Sequence, residues 1–319
     1  MNLNANDMVI GLVAGLATAL LCLGVATGSG LSVTLYLLSA VPVMVAGLGW
    51  GLRASLIAVA VSSIAVVSIA NTQTAIFVLL TTSLPGAATA YWLTLSRPAE
   101  ELGGPAGKFA WFPLSDVLLR LCLMIGAAFI LIGAMVSYGP EMLDPIVDQI
   151  VERVQVSDPE FAFTDAARAD FVATLTALIP VLQPLIWTMI LVGNIYIATK
   201  ITRASGQLKR PQDDFPTQMH LPKLALVVFA GALLLSFLTG SIGFIGSALS
   251  GGLFAGFILS GFAFFHALSR GKPWRTPALI LVYGATFFVM LPAFIMFLVG
   301  LFASSRRPPI SISPNQPNE

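Results

Sequence analysis

Nine stretches of about twenty residues run through this chain with almost no ionisable side chain inside them, at 8–27, 31–49, 52–70, 74–95, 114–138, 171–199, 221–239, 244–268 and 276–302. Segments of that length and polarity suit helices crossing roughly 30 Å of hydrocarbon, where each backbone amide and carbonyl must find its partner within the segment. The pattern predicts an all-α fold, a polytopic transmembrane helical bundle of about nine spans, with eight to ten compatible. Only 10% of the residues are charged, against about 25% in ordinary soluble domains, which excludes a water-soluble core. The first stretch lacks a basic leader and exceeds the short apolar run of a signal peptide, so it reads as a retained helix. A single membrane domain is expected over 1–303, followed by a disordered tail at 304–319 rich in Pro, Ser and Asn.

Orientation follows from the basic residues, which resist translocation. Arg53, then Arg97 and Lys108, then Lys200, Arg203, Lys209, Arg210 and Lys223, then Arg270, Lys272 and Arg275 fall in alternate connections. The intervening connection at 139–170 carries eight acids against Arg153 and Arg168. The N-terminus is therefore expected in the cytoplasm and the acidic connection outside. Nine spans then leave Arg306 and Arg307 on the wrong side, unless the last stretch breaks near Pro292 and returns as a re-entrant hairpin.

The second and third stretches meet in VPVMVAGLGWGLRASLIAVAVSSIAV, where Pro42, Gly47, Gly49 and Gly51 precede the lone Arg53. Glycine allows a tight turn there and Arg53 anchors it. This hairpin, together with GGLFAGFILSGFAFFHALSRGK nearer the C-terminus, resembles the YybS-like bacterial integral membrane proteins, an uncharacterised family distantly similar to the S components of energy-coupling-factor transporters and to MreD. The resemblance covers about a third of the chain, and Ala303, Ser304 and Ser305 stand where an acidic residue is expected. It implies a multi-pass protein of the bacterial inner membrane. It also implies that Gly11 and Gly15, on a small-residue face of the first span, contact a partner helix as in S components. The other reading of that face is packing within the chain.

The sixth span is the least ordinary. Pro180 and Pro184 bracket Gln183 and free the carbonyls of Thr176 and Pro180. At 100° per residue Thr176, Pro180, Gln183, Trp187 and Asn194 fall within about 40° of one line. Such a stripe lines a pocket for a small polar solute, or else hydrogen-bonds neighbouring helices. Thr81, Thr82, Ser83 and Pro85 in the fourth span are alternative ligands for a sodium ion. Asp116 and Arg120, four apart at the boundary of the fifth span, are spaced for an ion pair. Asp144-Pro145 reads as the start of an amphipathic external helix whose apolar face carries Leu143, Val147 and Val151. The basic connection at 199–222 suits topology or anionic lipid headgroups.

Several chemistries are excluded by pattern. GGPAGK misses the Walker A spacing and has Phe109 where Ser or Thr is required, and no HExxH occurs. His220 and His266 alone cannot build a three-histidine zinc site. No acid lies at a span centre, which disfavours autonomous proton coupling. The expectation is a non-enzymatic membrane protein with no cofactor and no nucleic-acid partner. It binds a small polar solute and depends on another membrane protein; an envelope scaffold without substrate is the alternative, and an enzyme using Asp116 or His266 the remotest.

Overall fold

The computed structural model describes residues 5–157 and 164–305. The expected disordered tail falls outside them, apart from Ser304 and Ser305, which belong to the last helix. Helix α1 (Ala5–Leu23) is followed by α2 (Gly30–Leu37) and α3 (Val41–Trp50), which together make the second crossing, and by α4 (Leu52–Ile69). The fourth crossing joins α5 (Thr72–Val78), a π turn (Leu79–Ser83) and α6 (Leu84–Thr94). A small antiparallel hairpin of β1 (Ser96–Pro98) and β2 (Phe109–Trp111) leads into α7 (Leu114–Met135), with Arg97 opposite Ala110. Then come α8 (Pro140–Ser157), α9 (Asp165–Ala204), α10 (Phe215–Gln218), α11 (Lys223–Ser236), α12 (Gly240–Leu268), α13 (Arg275–Phe288) and α14 (Leu291–Ser305).

The all-α bundle holds, and the helices keep the expected segments, but the span count is lower. Seven segments are long and apolar enough to cross a membrane, or eight if α13 and α14 count as one. Helix α11 has 14 residues, about 21 Å at 1.5 Å per residue, short of the hydrocarbon thickness. It still follows α12 antiparallel, Leu221 lying against Gly256 and Ser236 against Gly246. The last stretch bends by 117° between α13 and α14. The break falls at Val289 and Met290, just ahead of Pro292, which has no amide hydrogen to offer the Phe288 carbonyl at the end of α13 and whose ring crowds that carbonyl. Helix α14 then advances in the same direction as α12, Phe254 stacking on Phe297 and Phe264 meeting Phe302. The pair is thus a re-entrant hairpin rather than a ninth crossing.

The basic connections gather at one end of the bundle. Arg210, 4% exposed, is held there by a bidentate pair with Asp213, and its Nη1 donates to the carbonyls of Leu93 (3.2 Å) and Phe112 (2.9 Å). The basic connection is therefore folded onto the ends of α6 and α7 rather than offered whole to lipid. At the other end α8 lies on the first turns of α9, Leu143 and Val147 meeting Val172. Arg168 clamps Asp144 and Asp148 across this contact. The helix begins at Pro140, so Asp144 is not its cap, and Pro140 rather than Pro145 is the proline of the first turn.

Helix α12 is the hub. A Cβ on Gly251 would strike the Val181 carbonyl of α9, and one on Gly252 the Cys122 carbonyl of α7. Gly246 is closed off in the same way by α11, and Gly261 by Met296 of α14. In lipid, helices associate by close contact rather than by apolar transfer, so small residues fix which neighbours α12 accepts. Gly251→Ala is expected to destabilise the protein by about 1–3 kcal/mol through overpacking. Gly231→Ala, at an α11 position with no atom within 4 Å of the added carbon, should leave stability unchanged or slightly raised; thermal unfolding of both variants in detergent measures the contrast.

Candidate functional site

The sixth-span stripe does not assemble as one polar surface. Thr176 donates its hydroxyl to the Val172 carbonyl, while the carbonyl freed by Pro180 accepts from the Tyr138 hydroxyl at 3.1 Å. Gln183 is exposed on the outside of the bundle. Helix α9 nevertheless runs unbroken through Pro180 and Pro184.

Trp187 and Asn194 do come together, at a point where three crossings are irregular. The break between α2 and α3 leaves the Leu37 carbonyl without an intrahelical donor, and Asn194 Nδ2 supplies one at 2.9 Å. Trp187 sits between Tyr36 and Phe77 at centroid distances of 5.7 and 6.0 Å. The π turn brings Thr81 and Thr82 to the same place. Trp187 Nε1, Thr188 Oγ1 and Asn194 Oδ1 are buried and have no hydrogen-bond partner among the described residues. The enclosed space is about 10 Å³, room for roughly one water and not for an organic solute. Of the alternative sodium ligands, Thr81 donates to the Phe77 carbonyl at 2.7 Å and Ser83 is bonded to Ser62 at 3.1 Å. Pro85 is buried early in α6.

The remaining sequence candidates take packing roles. Gly11 and Gly15 face Ala54, Ile57, Ala58 and Val61 of the parallel helix α4, so this face is filled from within the chain and is closed to a partner helix. Asp116 and Arg120 do not form the expected ion pair. The Arg120 guanidinium lies over the rings of Phe112 (4.6 Å) and Trp92 (5.6 Å), where an aromatic face stabilises a cation. The second-span hairpin is as expected: Pro42 opens α3, Gly47 packs against Ala90 and Ser55, Gly51 turns with φ +90°, and Arg53 follows in α4. Among the described residues no three His, Cys, Asp or Glu side chains gather as a metal site.

A far larger cavity lies on a different face of the sixth span. A groove of about 970 Å³ opens between α9, α10, α12, α13 and α14, and Met189, Tyr196, Phe254, Phe262, Tyr283 and Phe294 are among its lining residues. Tyr196 and Phe294 are half exposed, so the groove opens sideways. Helix α13 forms its outer wall and buries none of its own residues. It is held by a ring stack of Tyr283 on Phe262 and by a hydrogen bond of 2.9 Å shared between Tyr283 Oη and His266 Nε2. At this end Arg270 forks onto Asp214, with Nη1 to Oδ2 at 2.8 Å, and the guanidinium holds the Asp214 carboxyl below its usual range. A cleft of about 310 Å³ between α5 and α7 is a third of that size.

The model of a family described as a predicted membrane protein, DUF2232, matches residues 15–303. The chain belongs to the DUF2232 family. No curated protein and no solved structure matches the chain. Membership accords with a multi-pass membrane protein, and the DUF2232 match extends over both segments that carry the YybS-like resemblance and over the groove. Sequence reasoning reached His266 and the sixth span but missed the groove. Its signals were the phenylalanines interleaved with the α12 glycines and the proline after the last break.

Asn194→Ala is expected to destabilise the fold by about 1–3 kcal/mol, because the Leu37 carbonyl loses its buried donor. Gln183→Ala, outside the bundle, should be near neutral. Chemical unfolding in micelles separates this outcome from that of a solute site, where Asn194→Ala would leave the apoprotein's stability intact.

Proposed function

We propose that this chain is a non-enzymatic membrane component that holds a long-chain apolar or amphipathic ligand in the groove beside its sixth span. The observation that carries the reading is the groove itself. Its volume of about 970 Å³ suits a whole organic ligand, its walls are aromatic and aliphatic, and it opens sideways where lipid would stand. The sixth span is also where the sequence places a binding surface, but the geometry favours the face of Met189 and Tyr196 over that of Gln183 and Asn194.

A resemblance to S components fits this role where the ligand is taken from the bilayer and not from water. With no nucleotide motif, any transport by such a component draws its energy from a partner. The partner face that the S-component resemblance implies at Gly11 and Gly15 is covered by α4, so a partner of this component docks elsewhere, while the scaffold reading, closer to MreD, gives the groove no role.

Gly193 lines the groove and has open space around the position of an added Cβ. Gly193→Trp therefore fills the groove without disturbing the helices. Native mass spectrometry of protein taken up in mild detergent should show a stoichiometric apolar species on the wild type and at least a tenfold loss in Gly193→Trp, with Gln183→Ala unaffected. Retention indifferent to Gly193→Trp, or no retained species, overturns the reading.

A further inference from the structure

The groove is apolar along its length but not at its end. His266 and Tyr283 mark the mouth, and His266 lies within electrostatic reach of both Arg270 and Arg275. Lys272 lies between these two arginines in the chain. Asp214 is the carboxylate facing this cluster, and it is taken up by Arg270. Lys272 and Arg275 have no ion-pair partner among the described residues. Tyr196 and Tyr283, aromatic residues of the kind that favour the headgroup level, line the same groove, and Lys200 sits 5.5 Å from the centroid of the Tyr196 ring. The His266–Tyr283 end of the groove therefore has Arg275 within electrostatic reach and Lys272 three residues before it in the chain, both without an ion-pair partner among the described residues, and Lys200 at Tyr196 adds a third cation.

Resting on the groove as a ligand site, we infer that the occupant is a lipid whose phosphate headgroup is net negative, with no cation of its own to compensate the phosphate, its chains along Phe254, Phe262 and Phe294 and its headgroup toward Lys272 and Arg275. Helix topology accounts for basic residues at this end in general, and it does so equally for Arg97 and Lys209, which are not among the charges acting on His266 at the groove. What it leaves unexplained is that cations without ion-pair partners among the described residues gather toward the His266–Tyr283 end of the groove. A neutral lipid satisfies the walls and leaves that charge facing water. A water-soluble phosphate satisfies the charge and leaves the aromatic walls without a partner.

The test uses the full chain in micelles, titrated with phosphatidylglycerol or phosphatidylcholine of identical chains and read by native mass spectrometry. The wild type should hold phosphatidylglycerol preferentially. Lys272→Gln with Arg275→Gln should reduce that retention about fivefold per charge removed, without changing phosphatidylcholine retention. Arg97→Gln with Lys209→Gln, which removes the same charge away from the groove, should leave the preference in place. Gly193→Trp should remove both lipids. Equal retention of the two lipids by the wild type, or a preference lost equally in both double variants, overturns the headgroup assignment and leaves the groove as a ligand site. Retention of neither lipid overturns both. Since Lys272 is exposed and unpaired, Lys272→Glu alone serves where the double variant fails to fold, and it should reverse the preference.

Discussion

Backbone-to-backbone contact along α12 is the constraint on which the rest of the bundle depends. Lipid offers no transfer free energy for bringing two apolar helices together, so cohesion comes from dispersion at short range, which falls away steeply with any gap. Gly246, Gly251, Gly252 and Gly261 direct that contact to four different neighbours. With those directions taken, the phenylalanines of the same helix are left to a fifth side. There Phe254 and Phe262, with α13 standing off opposite, hold a groove open instead of closing a core.

A second principle runs through the irregular points. At three points where backbone carbonyls lack their helical donor, a side chain from a distant element covers them. Tyr138 does so above Pro180, Asn194 at the end of α2, and Arg210 at the ends of α6 and β2. Low dielectric makes an unpaired group costly, so these three side chains hold elements together that apolar contact alone would leave free to slide. The price is that Trp187, Thr188 and Asn194 cannot all be satisfied by protein atoms in the same place.

Much of the fold was legible in the sequence because its controlling signals are local. Apolar length reports a span, alternating basic residues report an end, and Leu143, Val147 and Val151 report one face of α8. What a face meets is not local. The helical wheel aligned Gln183 with Asn194, yet one is outside the bundle and the other 2% exposed, because α3 and α6 cover only part of α9. Spacing placed Arg120 beside Asp116, but the aromatic rings that outcompete the carboxylate come from other segments. The small face of Gly11 and Gly15 was visible, while its occupant, α4, was a tertiary fact. The groove was hardest to foresee, since it depends on a reversal at Val289 and Met290 and on helices far apart in the chain.

The re-entrant pair also lacks a place of its own. Neither α13 nor α14, at 14 and 15 residues, is long enough to be threaded through a bilayer as an independent unit. Helix α14 gains its place only where Gly300 meets the Phe257 backbone and Met296 meets Gly261, so its seat does not exist until α12 has settled among α7, α9 and α11. The hairpin therefore depends on α12 for its place, and the groove exists only where the hairpin is docked. A chain whose α12 lacks Gly261 has no seat for α14, and with α14 goes the part of the groove wall that Ala293 and Phe294 supply.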